Sequence, residues 1–141
     1  MIGKTFDQME VGDSDQFSKT VTDSDIYLFA GVSGDVNPAH INEEYAKGTF
    51  FKTRIAHGML SAGFISAVIG TRLPGPGSVY MQQTLTFLAP VHIGDTITAK
   101  ATVIEKMEEK KRVRLKTICT NQDGVATLEG EALVSPPRPP K

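Results

Sequence analysis

The sequence predicts an α+β fold, an antiparallel sheet of about five strands curled around one apolar helix. Three observations lead there. From Ala56 to Thr71 the chain carries no lysine, arginine, aspartate or glutamate, and a helix that is apolar all round has to be enclosed. Beyond Pro74 come four strand-like segments, Ser78 to Ala89, Asp95 to Glu108, Lys110 to Asn121 and Val125 to Val134. Only short turns separate them, whereas parallel strands need long crossover connections. A chain of 141 residues has the size of one domain and buries roughly two thirds of its unfolded surface without disulfides or metal.

In chain order, a leading strand is expected around Gln16 to Val21. Thr22, with Asp25 three positions on, reads as a capping box for a first helix through Ile26, Tyr27, Leu28, Phe29 and Ala30, loosened at Gly31 and Gly34. Asp35 to His40 is expected as a loop, followed by a short helix with Asn42 as N-cap, Glu43 and Glu44 in its first turn and Gly48 as its stop. The enclosed helix runs from His57 to Gly70, where Ala62, Gly63, Ser66, Ala67 and Gly70 let neighbouring backbone approach. Pro74-Gly75-Pro76-Gly77 is a turn-rich link. In the third late segment Val113 and Leu115 alternate with Arg112, Arg114 and Lys116, and in the fourth Ala126, Leu128, Ala132 and Val134 share a face. Ile93-Gly94-Asp95 and Asn121-Gln122-Asp123-Gly124 supply the breaks. One domain over residues 1–135 and a frayed proline-rich tail over 136–141 complete the plan. A curved antiparallel sheet wrapped on a central helix is the hot-dog arrangement.

Composition narrows the function. Apolar residues make up 40% and charged residues 22%, with 15 lysines and arginines against 16 acids, so nothing asks for nucleic acid or a membrane. The longest uncharged stretch covers about 24 Å as a helix, short of the roughly 30 Å of a bilayer core. Cys119 is the single cysteine, and Met1 to Phe6 lacks the apolar run of a signal peptide. A cytoplasmic setting is expected.

Asp35-Val36-Asn37-Pro38-Ala39-His40 puts a carboxylate and an imidazole five positions apart on a segment stiffened by Pro38. Together they could hold a water, take its proton and return one. The same spacing also fits a turn-capping aspartate beside an ordinary histidine. His57-Gly58 opens the enclosed helix, where free N–H groups and the positive end of the dipole could meet an oxyanion, and Gly58 equally suits tight packing. Ser61 and Ser66 suit local bonds to the preceding turn, and neither lies in Gly-x-Ser-x-Gly. Cys119 reads as core. Neither His-x-x-x-His nor Cys-x-x-Cys is present, so no metal centre is expected from Asp35, His40 and His57. Lys47, Lys52, Arg54 and Arg72 are basic residues that could meet the phosphates of a thioester carrier or be plain solvated surface.

Four stretches together carry a resemblance: Phe29-Ala30-Gly31-Val32-Ser33-Gly34-Asp35-Val36-Asn37-Pro38-Ala39-His40, Arg54-Ile55-Ala56-His57-Gly58-Met59-Leu60, Leu73-Pro74-Gly75-Pro76-Gly77-Ser78-Val79-Tyr80, and Phe87-Leu88-Ala89-Pro90-Val91-His92-Ile93-Gly94-Asp95. In this order, over nearly the whole chain, the sequence resembles the MaoC-like (R)-specific enoyl-CoA hydratases. The resemblance implies Asp35 and His40 as a catalytic dyad, the Gly58 N–H as donor to the thioester oxygen, and Ser66, Asn37 and His57 as polar groups of the site. It also implies homodimers whose sheets join side by side, with coenzyme A entering near the interface as part of the substrate, and no metal or separate cofactor. The implied reaction is hydration of a trans-2-enoyl thioester to the (3R)-3-hydroxyacyl thioester, or its reverse. Dehydration on acyl carrier protein, thioester hydrolysis and non-catalytic acyl-thioester binding remain alternatives on the same fold.

Overall fold

A computed structural model describes residues 1–141. After a short 3-10 turn at Phe6–Gln8, β1 spans Ser14–Thr20 and Val21 turns inward, 1% exposed. The expected capping box starts α1 (Asp23–Ser33): the Asp25 N–H donates to Thr22 Oγ1 at 3.2 Å and the Thr22 N–H to the Asp25 carboxylate at 2.9 Å. Gly31 does not interrupt this helix. Gly34 ends it in the left-handed region at φ 81°, its N–H donating to the Ala30 carbonyl.

The segment expected as a loop from Asp35 to His40 contains a helical turn, α2 (Pro38–Ile41). Pro38 supplies a preset φ at the first helical position, and Asn37 caps it by accepting the Ala39 N–H at 3.0 Å. α3 (Glu43–Lys47) follows with Asn42 as its cap and Gly48 as its end. These three helices overhang one end of the sheet.

α4 (Gly58–Thr71) lies across the concave face of the sheet. Its Phe64, Ile65, Val68 and Ile69, with Leu73, meet Ile97, Ala99, Ala101 and Val103 of β4 (Thr96–Met107), Val113, Leu115 and Cys119 of β5 (Arg112–Thr120), and Leu128, Ala132 and Val134 of β6 (Ala126–Ser135). Ala99 and Ala101, both fully buried, leave room for the helix backbone to come close. The helix is not enclosed all round. Met59, Gly63, Ser66 and Gly70, spaced four, three and four residues apart, form an outer stripe exposed in this chain. That stripe looks apolar in sequence because small residues occupy it rather than charged ones.

The sheet has six strands, against the five expected, in the order β1-β4-β5-β6-β2 with a short sixth strand also on β6; every pairing is antiparallel. The segment Ser78 to Ala89 divides into β2 (Val79–Gln83) and β3 (Thr86–Phe87). Between them Thr84 exchanges two 2.9 Å bonds with Glu131. Its carbonyl lies 1.8 Å from where a Cβ on Gly130 would stand, so only glycine admits this close approach. The β5–β6 hairpin turns as expected, Asn121 Oδ1 accepting the Asp123 and Val125 N–H groups at 3.0 Å each. Pro136 and Pro137 are buried rather than frayed, Pro137 packing against Gly77, and exposure begins at Arg138. No helix is long and apolar enough to cross a membrane.

Candidate active site

A cavity of about 560 Å³ opens between the first turn of α4, the overhanging helices, the Phe87–Val91 segment and the start of β6. Most of its wall is apolar, including Phe50, Phe51, Ile55, Met59, Phe87 and Leu88; the polar side chains on it are Asp35, His40, His57, Ser61 and Thr127. A wall of this kind takes an acyl chain, and the few polar groups fix where chemistry happens.

The helical turn α2 brings Asp35 and His40 together. Asp35 is exposed at the end of α1, its carboxylate accepting the Asn37 N–H at 3.2 Å, which leaves oxygen lone pairs free. His40 is half-buried, and its Nδ1 lies 2.8 Å from the Ile55 carbonyl. A carbonyl can only accept, so Nδ1 donates and Nε2 is left to act on substrate or water. His57, 2% exposed, places Nε2 2.9 Å from the Asp35 carbonyl and stacks on His40 with ring centroids 3.9 Å apart and planes inclined by 30°. One carboxylate oxygen and one nitrogen of each histidine lie within 4.8 Å of one another. Of the four ring nitrogens, His40 Nδ1 and His57 Nε2 are already engaged with backbone carbonyls.

The segment before α4 is pinned from several sides. The Ala56 N–H donates to the Val91 carbonyl at 2.8 Å and the Ile55 N–H to Ala39 at 3.3 Å. Arg54, 9% exposed, pairs with Asp23, donates to the Tyr27 hydroxyl at 2.9 Å and lies 3.8 Å from the Glu43 carboxylate, so one guanidinium ties α1 to α3. Arg72 likewise donates to the Gln16 carbonyl and lies over the Phe17 ring. These two basic residues, offered by the sequence as phosphate contacts, are committed within the fold. At the start of α4 the Gly58 N–H donates to no group of the chain. A Cβ on Gly58 would stand 2.5 Å from the Phe87 ring, so glycine lets that ring pack directly against the helix start.

Of the residues the sequence singles out, Asp35, His40, His57 and Gly58 line the one cavity. Asn37 and Ser66 do not: Asn37 is occupied in capping α2, and Ser66 sits on the exposed stripe of α4. Ser61, Phe87 and Thr127 line the cavity without having been proposed for it. Ser61 carried a usable signal, since it is four residues after His57 and therefore on the same helical face. Burial pushes the Cys119 thiol up to about 12, and its Sγ lies 3.7 Å from the Ser61 carbonyl, so it is core and no thiolate nucleophile.

The family pattern described as "MaoC like domain" matches residues 8–125. The chain belongs to the MaoC-like family. An (R)-specific enoyl-CoA hydratase of Rhodospirillum rubrum is 60% identical over 132 residues, covering 94% of this chain and 91% of that one. A 3-hydroxybutyryl-CoA dehydratase of Methylorubrum extorquens is 50% identical over 133 residues, covering 94% and 84%. Among solved structures, the unliganded R-hydratase PhaJ1 of Pseudomonas aeruginosa superposes with a TM-score of 0.92 at 44% identity, over 97% of this chain and 88% of that one. The chain therefore has the MaoC-like hot-dog fold over nearly its whole length.

Proposed function

We propose that this MaoC-like chain is an (R)-specific enoyl-CoA hydratase, adding water to trans-2-enoyl-CoA to give (3R)-3-hydroxyacyl-CoA and catalysing the reverse dehydration. The observation that carries the reading is the convergence of Asp35, His40 and the free Gly58 N–H on one apolar cavity. A water held between the Asp35 carboxylate and His40 Nε2 gives up a proton as its oxygen attacks C3. The electrons move to the thioester oxygen, where the Gly58 N–H and the α4 dipole stabilise the enolate. The proton taken from water is then delivered to C2, so water is added across the double bond and the dyad is restored. The thioester polarises the alkene, and the reading needs no metal or separate cofactor. Relatives named as a hydratase and a CoA dehydratase support the substrate class.

Two copies complete the reading. β2 is an edge strand with Val79, Tyr80 and Met81 exposed, Phe87 and Leu88 lie beside it, and the α4 stripe is open, a surface suited to a second copy. The buried free Cys119 fits a reducing cytoplasm. The test follows loss of enoyl absorbance with crotonyl-CoA, with resolution of the product. Formation of the (3R)-alcohol, falling by roughly 10²–10⁴-fold in folded Asp35→Asn and His40→Ala, supports the reading. Full activity in both variants refutes the dyad, and no (3R)-alcohol from the parent chain refutes the reading; turnover only on acyl carrier protein reassigns the carrier, and hydrolysis to free acid reassigns the reaction.

A further inference from the structure

We infer that His57 is a positioning residue that sets all three working groups of the site at once, a role that rests on the hydratase reading above. Its ring makes one polar bond, from Nε2–H to the Asp35 carbonyl at 2.9 Å, and so fixes the backbone from which the Asp35 carboxylate projects. One face of the ring stacks on His40 at 3.9 Å and the ring also packs on Phe29 of α1 at 4.7 Å, which limits how the His40 imidazole can tilt while its Nδ1 holds the Ile55 carbonyl. The third link is covalent. His57 is the N-cap of α4, so the peptide that joins it to Gly58 carries the N–H aimed at the thioester oxygen. Holding the ring holds that peptide plane.

The other ring nitrogen shows why a histidine is present. Nδ1 is buried and has no hydrogen-bond partner, and an unsatisfied buried acceptor lowers stability. A phenylalanine would pack against Phe29 and His40 without that penalty. The polar edge therefore makes sense through its bond to Asp35. His57 itself needs no contact with substrate and transfers no proton; it acts through Asp35, His40 and the Gly58 peptide.

His57→Phe keeps the stacked faces and removes the donor, whereas His57→Gln keeps a donor and removes the stack. With crotonyl-CoA, His57→Phe is expected to fold with an unchanged or raised Tm and to lose roughly 10²-fold in kcat. Its KM should move less than about threefold, because the carbonyl-binding N–H and the apolar wall persist. His57→Gln should recover the part of that loss that comes from the bond to Asp35 and keep the part that comes from the stack on His40. In an Asp35→Asn background, His57→Phe should cost little more, since both changes strike the same step. Should His57→Phe not fold, His57→Met takes its place as an apolar side chain without an N–H. A folded donor-less variant with unchanged kcat, or losses that simply multiply with Asp35→Asn, overturns the inference. Full activity in Asp35→Asn and His40→Ala alone is a different result, which overturns the Asp35–His40 dyad, whereas no (3R)-alcohol from the parent chain overturns the hydratase reading beneath it.

Discussion

Gly58→Ala separates the space beside the Gly58 N–H from the N–H itself, which alanine retains. An ideal Cβ would stand 2.5 Å from Phe87 Cε1 and 2.7 Å from Cδ1, where carbon atoms rest at roughly 3.5–4.0 Å. The ring has to withdraw by about 1 Å. Phe87 is 54% exposed and its side chain can swing towards solvent, so the overpacking cost sits near the low end, about 1 kcal/mol. Replacing glycine by alanine in the first helical turn returns up to about 1 kcal/mol of helix propensity. The two nearly cancel, and Tm should stay within about 4 °C of the parent. Catalysis is not protected in this way. The displaced Phe87 ring is part of the cavity wall beside the Gly58 N–H, and a carbonyl seated badly on an oxyanion donor costs up to the roughly 10²–10³-fold in kcat of losing that donor. Initial rates with crotonyl-CoA alongside a circular-dichroism melt measure both quantities. A kcat/KM within about threefold of the parent, with an unchanged melt, would refute the claim that the close Gly58–Phe87 packing shapes the site around this N–H.

Three further outcomes follow from the same geometry. Arg54→Met removes the knot between α1 and α3; because Asp23 and Glu43 are 55% and 44% exposed and can return to water, the loss should be about 2 kcal/mol rather than the 3–5 of a fully buried pair. A melt measures this, and kcat should fall with it because the Ile55 carbonyl that holds His40 is the next residue along. Cys119 gives a pH dependence. Its thiol ionises at about 12 in the folded chain against 9.0 ordinarily, because burial opposes the charge; below pH 9 both states are protonated, and between 9 and 12 the unfolded chain alone loses the proton. Stability should therefore fall as pH rises across that window, by up to about 1.4 kcal/mol per unit, as measured by urea unfolding at pH 7 and pH 10.5; a flat dependence attributable to Cys119, judged against Cys119→Ala, would count against its burial. Ser66→Trp puts a large ring on the exposed stripe of α4 and should shift the sedimentation mass from dimer towards monomer if two copies pack there, with little change in the monomer's own fold.

The layer arrangement could be read from the chain because each element announces itself locally: the Thr22–Asp25 capping box, the alternation Arg112-Val113-Arg114-Leu115 and the Asn121–Gly124 turn have the roles their chemistry gives them, and the uncharged stretch of α4 is the core helix although one face of it is open. What stayed hidden depends on partners distant in sequence. The division between β2 and β3 follows from the Thr84 carbonyl filling the space over Gly130, a contact across 46 positions that no local pattern carries. The helical turn at Pro38–Ile41 was masked because Pro38 reads as a loop former, although proline is equally at home at the first position of a helix. The site was half legible. Asp35, His40 and Gly58 were chosen on residue type, and the fold gathers them; Ser61 and Thr127 join the wall only because α4 and β6 meet there. Arg54 looked like free charge because its partners, Asp23, Tyr27 and Glu43, lie 11 to 31 positions away.

Most of the apolar core and the Asp35–His40 pair lie on different elements. Fifteen residues of the 21-residue core lie on α4, Leu73 and strands β4, β5 and β6, and Phe6, Met9, Val21, Ile26, Ala56 and Val91 supply the rest. Asp35 and His40 stand outside that core, on an overhang held by hydrogen bonds, ion pairs and ring stacks rather than by large apolar burial. Such regions open at lower free energy than packed strands do. Conditions that weaken polar contacts, such as moderate urea, should disturb the dyad before the sheet unfolds, so activity should decline ahead of the far-ultraviolet signal. Coincident curves would mean that the overhang and the sheet form one cooperative unit, and that the Arg54 and His57 links are strong enough to make the active site as stable as the core.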